Sequence, residues 1–187
     1  DMVDTIFTAS SHDHILFFTS RGRVLRLKGY QVPESSRTAK GMNIINLLQI
    51  ESGERVSAMI HVKSLDEGGY AFFVTRKGVV KRIELQLLNT ARKAGIRAIG
   101  LDEDDELVSV RLTSGDDVLV LATNQGQGIR FHETEVRAMG RDAYGVRGIR
   151  LAKGDYVIGA ACQREGAMLL TVTEDGYGKL TDPEEYT

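Results

Sequence analysis

Short apolar runs of four to six residues, broken by turns rich in Gly, Asp and Asn, recur along the chain. Runs of this length, rich in β-branched residues and bounded by such turns, predict β-strands. The first stretch predicts strands at 3–8, 15–19, 24–28 and 44–50, a turn at Ser10-Ser11-His12-Asp13 and a loop over 33–41. Ile15-Leu16-Phe17-Phe18 shows no alternation, the pattern of a strand covered on both faces. After the tight turn Arg21-Gly22-Arg23, where glycine supplies a positive φ, Val24, Arg26 and Lys28 share one face of the returning strand and Leu25 and Leu27 the other. Further strands are predicted at 56–60, 71–75, 79–83, 107–112, 119–123, 128–131, 157–162 and 168–173. Residues 84–93 could form a short helix, but they are read as loop, because the equivalent segments contain Pro33 and Pro183. The chain is expected to be all-β.

These elements repeat. With Gly22, Gly78, Gly126 and Gly176 aligned, a threonine stands three residues before each: Thr19, Thr75, Thr123 and Thr173. Four residues after the first three glycines stand Arg26, Arg82 and Arg130, with Leu180 in the fourth copy. Ten residues after each glycine comes Val32, Leu88, Val136 or Tyr186. Each unit opens on an acid, one residue and valine: Asp1-Met2-Val3, Glu54-Arg55-Val56, Glu106-Leu107-Val108 and Asp155-Tyr156-Val157. One domain over 1–187 is therefore divided into units at about 1–53, 54–105, 106–154 and 155–187, the last stopping before its basic loop and implying a longer array. A four-stranded unit of about 50 residues is one blade of a radial or solenoid array. The absence of tryptophan excludes a tryptophan-aspartate repeat.

Charge follows the same period. The net charge is −2, yet 18 of the 24 Lys and Arg fall in three windows at equivalent places, which makes a localised basic surface possible on an acidic body. The first window holds Arg21, Arg23, Arg26, Lys28, Arg37 and Lys40; the second Arg76, Lys77, Lys81, Arg82, Arg92, Lys93 and Arg97; the third Arg130, Arg137, Arg141, Arg147 and Arg150. Acids gather in the connecting turns Asp66-Glu67, 102–106 and Asp116-Asp117. A circular array would bring the windows to one side as a basic band, the footprint of a duplex-binding surface. All eighteen are candidate DNA contacts, and Arg26, Arg82 and Arg130 are expected to be replaceable without unfolding. Gly41, Gly95, Gly145 and Gly148 would let a phosphate backbone approach. Few Asn or Gln and no recognition-type helix accompany the cations, so phosphates and shape would be read, not bases. Two other readings of the band are cations guarding strand edges and a propeller that recognises an acidic protein.

No catalytic or metal site emerges. Ser10, Ser11, His12 and Asp13 are sequence neighbours, which do not converge as a triad. His12 and His14 are two ligands at most, and 102–106 lacks the spaced calcium-loop pattern. Gly126-Gln127-Gly128 precedes a strand, so it is no dinucleotide fingerprint. Cys162 is the only cysteine, which rules out an internal disulfide. No apolar run reaches the roughly 20 residues of a membrane helix.

The segments 12–34, 136–151 and 173–186, with HDHILFFTSRGRVLRLKGYQVPE, VRAMGRDAYGVRGIRL and TEDGYGKLTDPEEY, resemble the C-terminal domain of the DNA gyrase A subunit. The resemblance covers the whole chain; the corresponding domain of topoisomerase IV is less similar around 136–151. It implies a β-pinwheel, propeller-like with strands exchanged between neighbours, here about four four-stranded blades. It also implies a non-catalytic domain whose basic rim wraps DNA for negative supercoiling. The implied partners are double-stranded DNA, the gyrase A N-terminal domain and the gyrase B subunit in an A2B2 complex, in the bacterial cytoplasm at the nucleoid, with no membrane. ATP and Mg would belong to the holoenzyme and the cleavage tyrosine to the N-terminal part, so no cofactor is expected here. The family's Q-R-R-G-G-K-G box has no match; Arg37-Thr38-Ala39-Lys40-Gly41 is another blade's equivalent loop, and the chain is expected to begin after the box.

Overall fold

The computed structural model describes residues 13–28, 50–66, 68–89, 92 and 94–163, and the backbone of 169–172 and 178–181. The strand expected at 3–8, the 33–41 loop and all but the last residue of the strand expected at 44–50 lie outside the described residues; Ile50 is described and is not in a strand. The structure is all-β, in four antiparallel sheets that do not close on themselves. In the first, β1 (His14–Thr19) and β2 (Arg23–Lys28) form a hairpin flanked by β3 (Val56–Val62) and β6 (Ile96–Arg97), in the order β3-β1-β2-β6. The second repeats this order as β7 (Leu107–Thr113), β4 (Tyr70–Thr75), β5 (Val79–Glu84) and β10 (Val146–Arg147). The third holds β11 (Val157–Cys162), β8 (Val118–Thr123) and β9 (Gly128–His132). The fourth pairs β12 (Leu169–Val172) with β13 (Gly178–Thr181).

Each of the first two sheets is thus a hairpin from one repeat completed by strands of the next: β3 opens the second repeat and β6 lies in its basic loop. The inner strands β3, β7 and β11 pack side by side. The hairpin strands are covered on both faces. Leu16, Phe18 and Val24 join Phe73, Ile83 and Ile99 in one core between the first and second sheets. Ile15, Phe17, Leu25 and Leu27 form another on the opposite side. A third core, with Phe72, Val74, Val80, Leu119 and Leu121, joins the second and third sheets.

The repeated Thr and Gly make one turn three times. The glycine N–H donates to the threonine carbonyl at 3.0, 3.0 and 3.1 Å in the three copies. The threonine hydroxyl accepts the N–H four residues on, from Arg23 at 3.2, Val79 at 3.1 and Gln127 at 3.0 Å. Gly22, Gly78 and Gly126 have φ of 81°, 86° and 84°, the αL position of a three-residue hairpin loop. The acid marker of the third unit is Asp105, not Glu106. Asp105 Oδ1 accepts the Lys77 N–H at 3.0 Å as Asp155 Oδ1 accepts that of Gln125 at 3.0 Å. The register also matches Leu107 with Thr75 as Val56 with Thr19 and Val157 with Thr123.

Two expectations are corrected. Leu85–Leu88, read as loop, is one 3-10 turn that buries Leu85 and Leu88, three apart and so on one side of such a turn. The basic loops conceal the two-residue outer strands β6 and β10.

Gly78→Ala and Gly126→Ala should differ in cost. Both place alanine in the αL region, at about 1 kcal/mol. At Gly78 the new Cβ would also lie 2.8 Å from Ile149 Cγ2 and 3.0 Å from Ile149 O, whereas at Gly126 it meets nothing within 4 Å. Chemical denaturation should show a loss about twice as large or more for Gly78→Ala; equal losses would mean that the outer segment does not press on this turn.

Candidate nucleic-acid interface

The candidate cations divide by position. Arg37, Lys40 and Lys93 lie outside the described residues. Those at the hairpin turns meet the acidic connectors. Arg21 Nη1 lies 3.1 Å from Glu51, Arg76 Nη1 3.6 Å from Glu106, and Lys77 pairs with Asp104. Arg76 also stacks on the Tyr156 ring at 3.7 Å. Arg23 binds Glu54 through two nitrogens at 2.6 and 3.0 Å and donates to the Ala94 carbonyl at 2.6 Å, tying the turn to the segment before β6. Lys28 is half-buried.

The in-phase Arg26, Arg82 and Arg130 do stand at equivalent register positions, opposite Leu16, Phe72 and Val120. Each holds a side chain from further along the chain. Arg26 donates to Asn89 Oδ1 at 2.8 Å, Arg82 to Glu133 Oε1 at 3.2 Å, and Arg130 to Gln163 Oε1. The Arg82 pair is buried, with side chains 11% and 0% exposed. Glu133 also accepts the Thr113 hydroxyl at 3.0 Å and the Asp117 N–H at 2.8 Å. The Arg82 guanidinium lies 4.5 Å over the Tyr70 ring. Lys81 is fully buried, and its Nζ donates to Ala98 O at 2.7 Å and Arg141 O at 2.9 Å, joining the outer segments of two adjacent sheets. Burial pulls its pKa down to about 8, against the opposing pull of Asp142. Lys81 and Arg82, expected as surface cations, are therefore internal ties.

The outer segments hold the remainder. Arg92, Arg97, Arg137, Arg141, Arg147 and Arg150 are exposed. Among the described residues Arg97, Arg137, Arg141, Arg147 and Arg150 form no ion pair with a carboxylate. Arg97 on β6 and Arg147 on β10 sit at the outer edges of the first two sheets, beside Arg23 and Val79. Here the glycines serve the fold first. A Cβ at Gly95 would lie 2.5 Å from Val24 O, and one at Gly145 would run into Val80 O. The signal that marks these strands is a recurrence: Gly95-Ile96-Arg97-Ala98-Ile99-Gly100-Leu101 matches Gly145-Val146-Arg147-Gly148-Ile149-Arg150-Leu151.

Among the described residues no group of three His, Cys, Asp or Glu converges as a metal site, and no helix is long and apolar enough to cross a membrane. His14 is held below the ordinary imidazole value by burial and by Arg26 and Lys28, and His61 Nε2 lies 2.6 Å from Asp13.

A repeated hairpin completed by strands of its neighbour, with an arginine on the outer strand of each of the first two sheets, defines a propeller-like repeat protein. The chain belongs to the family described as the DNA gyrase C-terminal domain, beta-propeller, whose model matches residues 13–63, 69–114, 117–164 and 167–186. The first three matched segments each begin at a hairpin and end after the inner strand of the same sheet, so the family's repeat is the hairpin followed by β3, β7 or β11. The chain is 48% identical over its full length to the DNA gyrase A subunit of Aminobacterium colombiense and 46% to that of Escherichia coli K12. It spans 23% and 21% of those relatives. Among solved structures, the C-terminal domain of DNA topoisomerase IV superposes with a TM-score of 0.86 at 31% identity, over 95% of this chain and 55% of that one. The DNA gyrase A C-terminal domain gives 0.74 at 26%, over 92% and 55%. By sequence the chain sides with gyrase A.

The buried charges generate two expected outcomes. Arg82→Ala, which leaves Glu133 buried without its cation, should cost about 3 kcal/mol or more in denaturant unfolding, and Arg26→Ala under about 1 kcal/mol. Burial alone would raise the Glu54 carboxyl, but bonds from Arg23, Thr19 and the Glu51 N–H outweigh it and hold its pKa down to about 2, from 4.5. A lowered folded-state value contributes stability above pH 4.5 that is lost as pH falls toward 2. The unaltered chain should lose on the order of 3 kcal/mol across that window through this group, and Glu54→Gln should have a flatter curve there.

Proposed function

We propose that this chain binds duplex DNA without sequence preference along its outer strands and bends it, as the wrapping domain of a type IIA topoisomerase of the gyrase kind. The observation that carries the reading is the repeated placement of Arg97 and Arg147, on sheet edges and free of carboxylates, while the candidate cations at the turns and on the inner faces are paired or buried. Arg137, Arg141 and Arg150 extend the same surface, and Arg92 lies on the approach to β6. Such a track neutralises phosphates and reads shape. Membership of the gyrase family supports the assignment. The chain supplies no chemistry in this reading. Strand cleavage, ATP hydrolysis and Mg binding fall to other parts of an A2B2 enzyme in the bacterial cytoplasm. The partners within it are the gyrase A N-terminal region and the gyrase B subunit.

Binding to random-sequence duplex should weaken steeply between low and moderate salt, with a log–log slope of about −0.9 per phosphate neutralised. The triple change of Arg97, Arg147 and Arg150 to Glu should reduce affinity by about tenfold or more and flatten the slope by about 3, with the unfolding midpoint nearly unchanged. Retention of an acidic protein with no retention of DNA would overturn the proposal in favour of a protein-interaction role.

A further inference from the structure

Tyr144 is the most exposed of the large apolar and aromatic side chains among the described residues, at 56%. It stands between Arg141 and Arg147 on the segment leading into β10. The ring rests on Gly100 of the neighbouring sheet's outer segment, where an added Cβ would lie 2.9 Å from both Cδ2 and Cε2. The backbone beneath it is fixed on both sides. Gly100 N–H donates to Ala143 O at 3.1 Å, and Lys81 Nζ holds Ala98 O and Arg141 O. Among the described residues the Tyr144 hydroxyl makes no hydrogen bond. The result is an exposed ring on an ordered backbone at the junction of two sheets, with Arg97, Arg141 and Arg147 on the segments that hold it. Because the backbone beneath it is already held, covering the ring brings the apolar gain at the ordering cost of one side chain. The surrounding cations select a polyanion as the ligand. On an intact duplex the phosphates are polar, the bases are stacked, and the thymine methyls of the major groove occur only at some positions, so the apolar surface that every sequence offers such a ring is the deoxyribose wall of the minor groove.

Resting on the DNA-binding reading above, we propose that Tyr144 is a non-ionic contact of the DNA track, laid against minor-groove deoxyribose between phosphates held by Arg141 and Arg147. Such a contact adds affinity that salt does not screen. The test is a duplex-binding titration across salt concentrations with Tyr144→Ala and Tyr144→Phe, repeated with inorganic polyphosphate, which carries the charge but no sugar. Tyr144→Ala should bind duplex about five- to tenfold more weakly at every salt concentration, with an unchanged log–log slope. Tyr144→Phe should stay within about twofold of the unaltered chain, and polyphosphate affinity should not respond to either change. Unaltered duplex affinity of Tyr144→Ala, an equal loss toward polyphosphate, or a changed slope would overturn the contact while leaving the function standing. Failure of the unaltered chain to bind duplex would overturn both.

Discussion

The peptide after each of the first two marker threonines is bonded on two sides. Ser20 donates its N–H to Arg55 O on the strand completing its own sheet at 2.7 Å and accepts the Leu107 N–H from the next sheet at 3.0 Å. Arg76 does the same with Glu106 O and the Val157 N–H, both at 2.8 Å. These bonds stitch each hairpin turn to two successive inner strands, and both strands belong to later repeats. A hairpin of this chain has apolar residues on both faces and cannot bury either alone, so a repeat acquires its structure only with its neighbours in place. The same dependence explains the short outer strands. Pairing over two residues is enough to seat Ile99 and Ile149 over Gly22 and Gly78, and the rest of the outer segment is left as loop.

Position in the sheet then decides what a cation does. At the turns, close to the acidic connectors, it is paired. On the face toward the following sheet it holds a side chain of the next repeat. At the outer edge, where no further strand is paired in the first two sheets, it keeps its charge unopposed. An edge strand exposes unpaired backbone groups and invites association with other chains, and charged side chains blunt that tendency. Arg97 and Arg147 serve that purpose whether or not DNA is present. On the reading proposed above, guarding an edge and offering a surface to phosphates are the same arrangement seen without and with a ligand.

How much of this could be read from residues alone depends on the range of the interaction. The hairpins were legible because their causes are local. Ile15-Leu16-Phe17-Phe18 lacks alternation because Ile15 and Phe17 enter one core and Leu16 and Phe18 another. Thr and Gly mark one turn whose bonds span four residues. The outer strands were not legible by period, since two residues have none, although the recurrence at 95–101 and 145–151 was present to be found. The burial of Arg82 was hidden because its partner Glu133 is 51 positions away. Period two places Arg26 correctly on the face of Val24; it does not show that this face meets another sheet.

Repeats of one build carry a hazard that the buried charges reduce. A hairpin compatible with any neighbour could pack beside the wrong one, and apolar cores alone discriminate poorly between similar surfaces. The two junctions are not alike in this respect. Arg26 meets a neutral amide at the exposed Asn89, but Arg82 meets a buried carboxylate that is itself fixed by Thr113 and Asp117. Lys81 stands where the first and third repeats have Leu25 and Ile129 and the fourth has Lys179, and it donates to two carbonyls supplied by two different outer segments. Seated against another repeat, Arg82 or Glu133 would be a buried charge without its partner, at a cost of several kcal/mol. The middle sheet is thereby tied to both neighbours by Lys81 and Arg82, and the outer segments carrying Arg97 and Arg147 are positioned by these ties. For the DNA track proposed above, that positioning matters more than the number of cations on it.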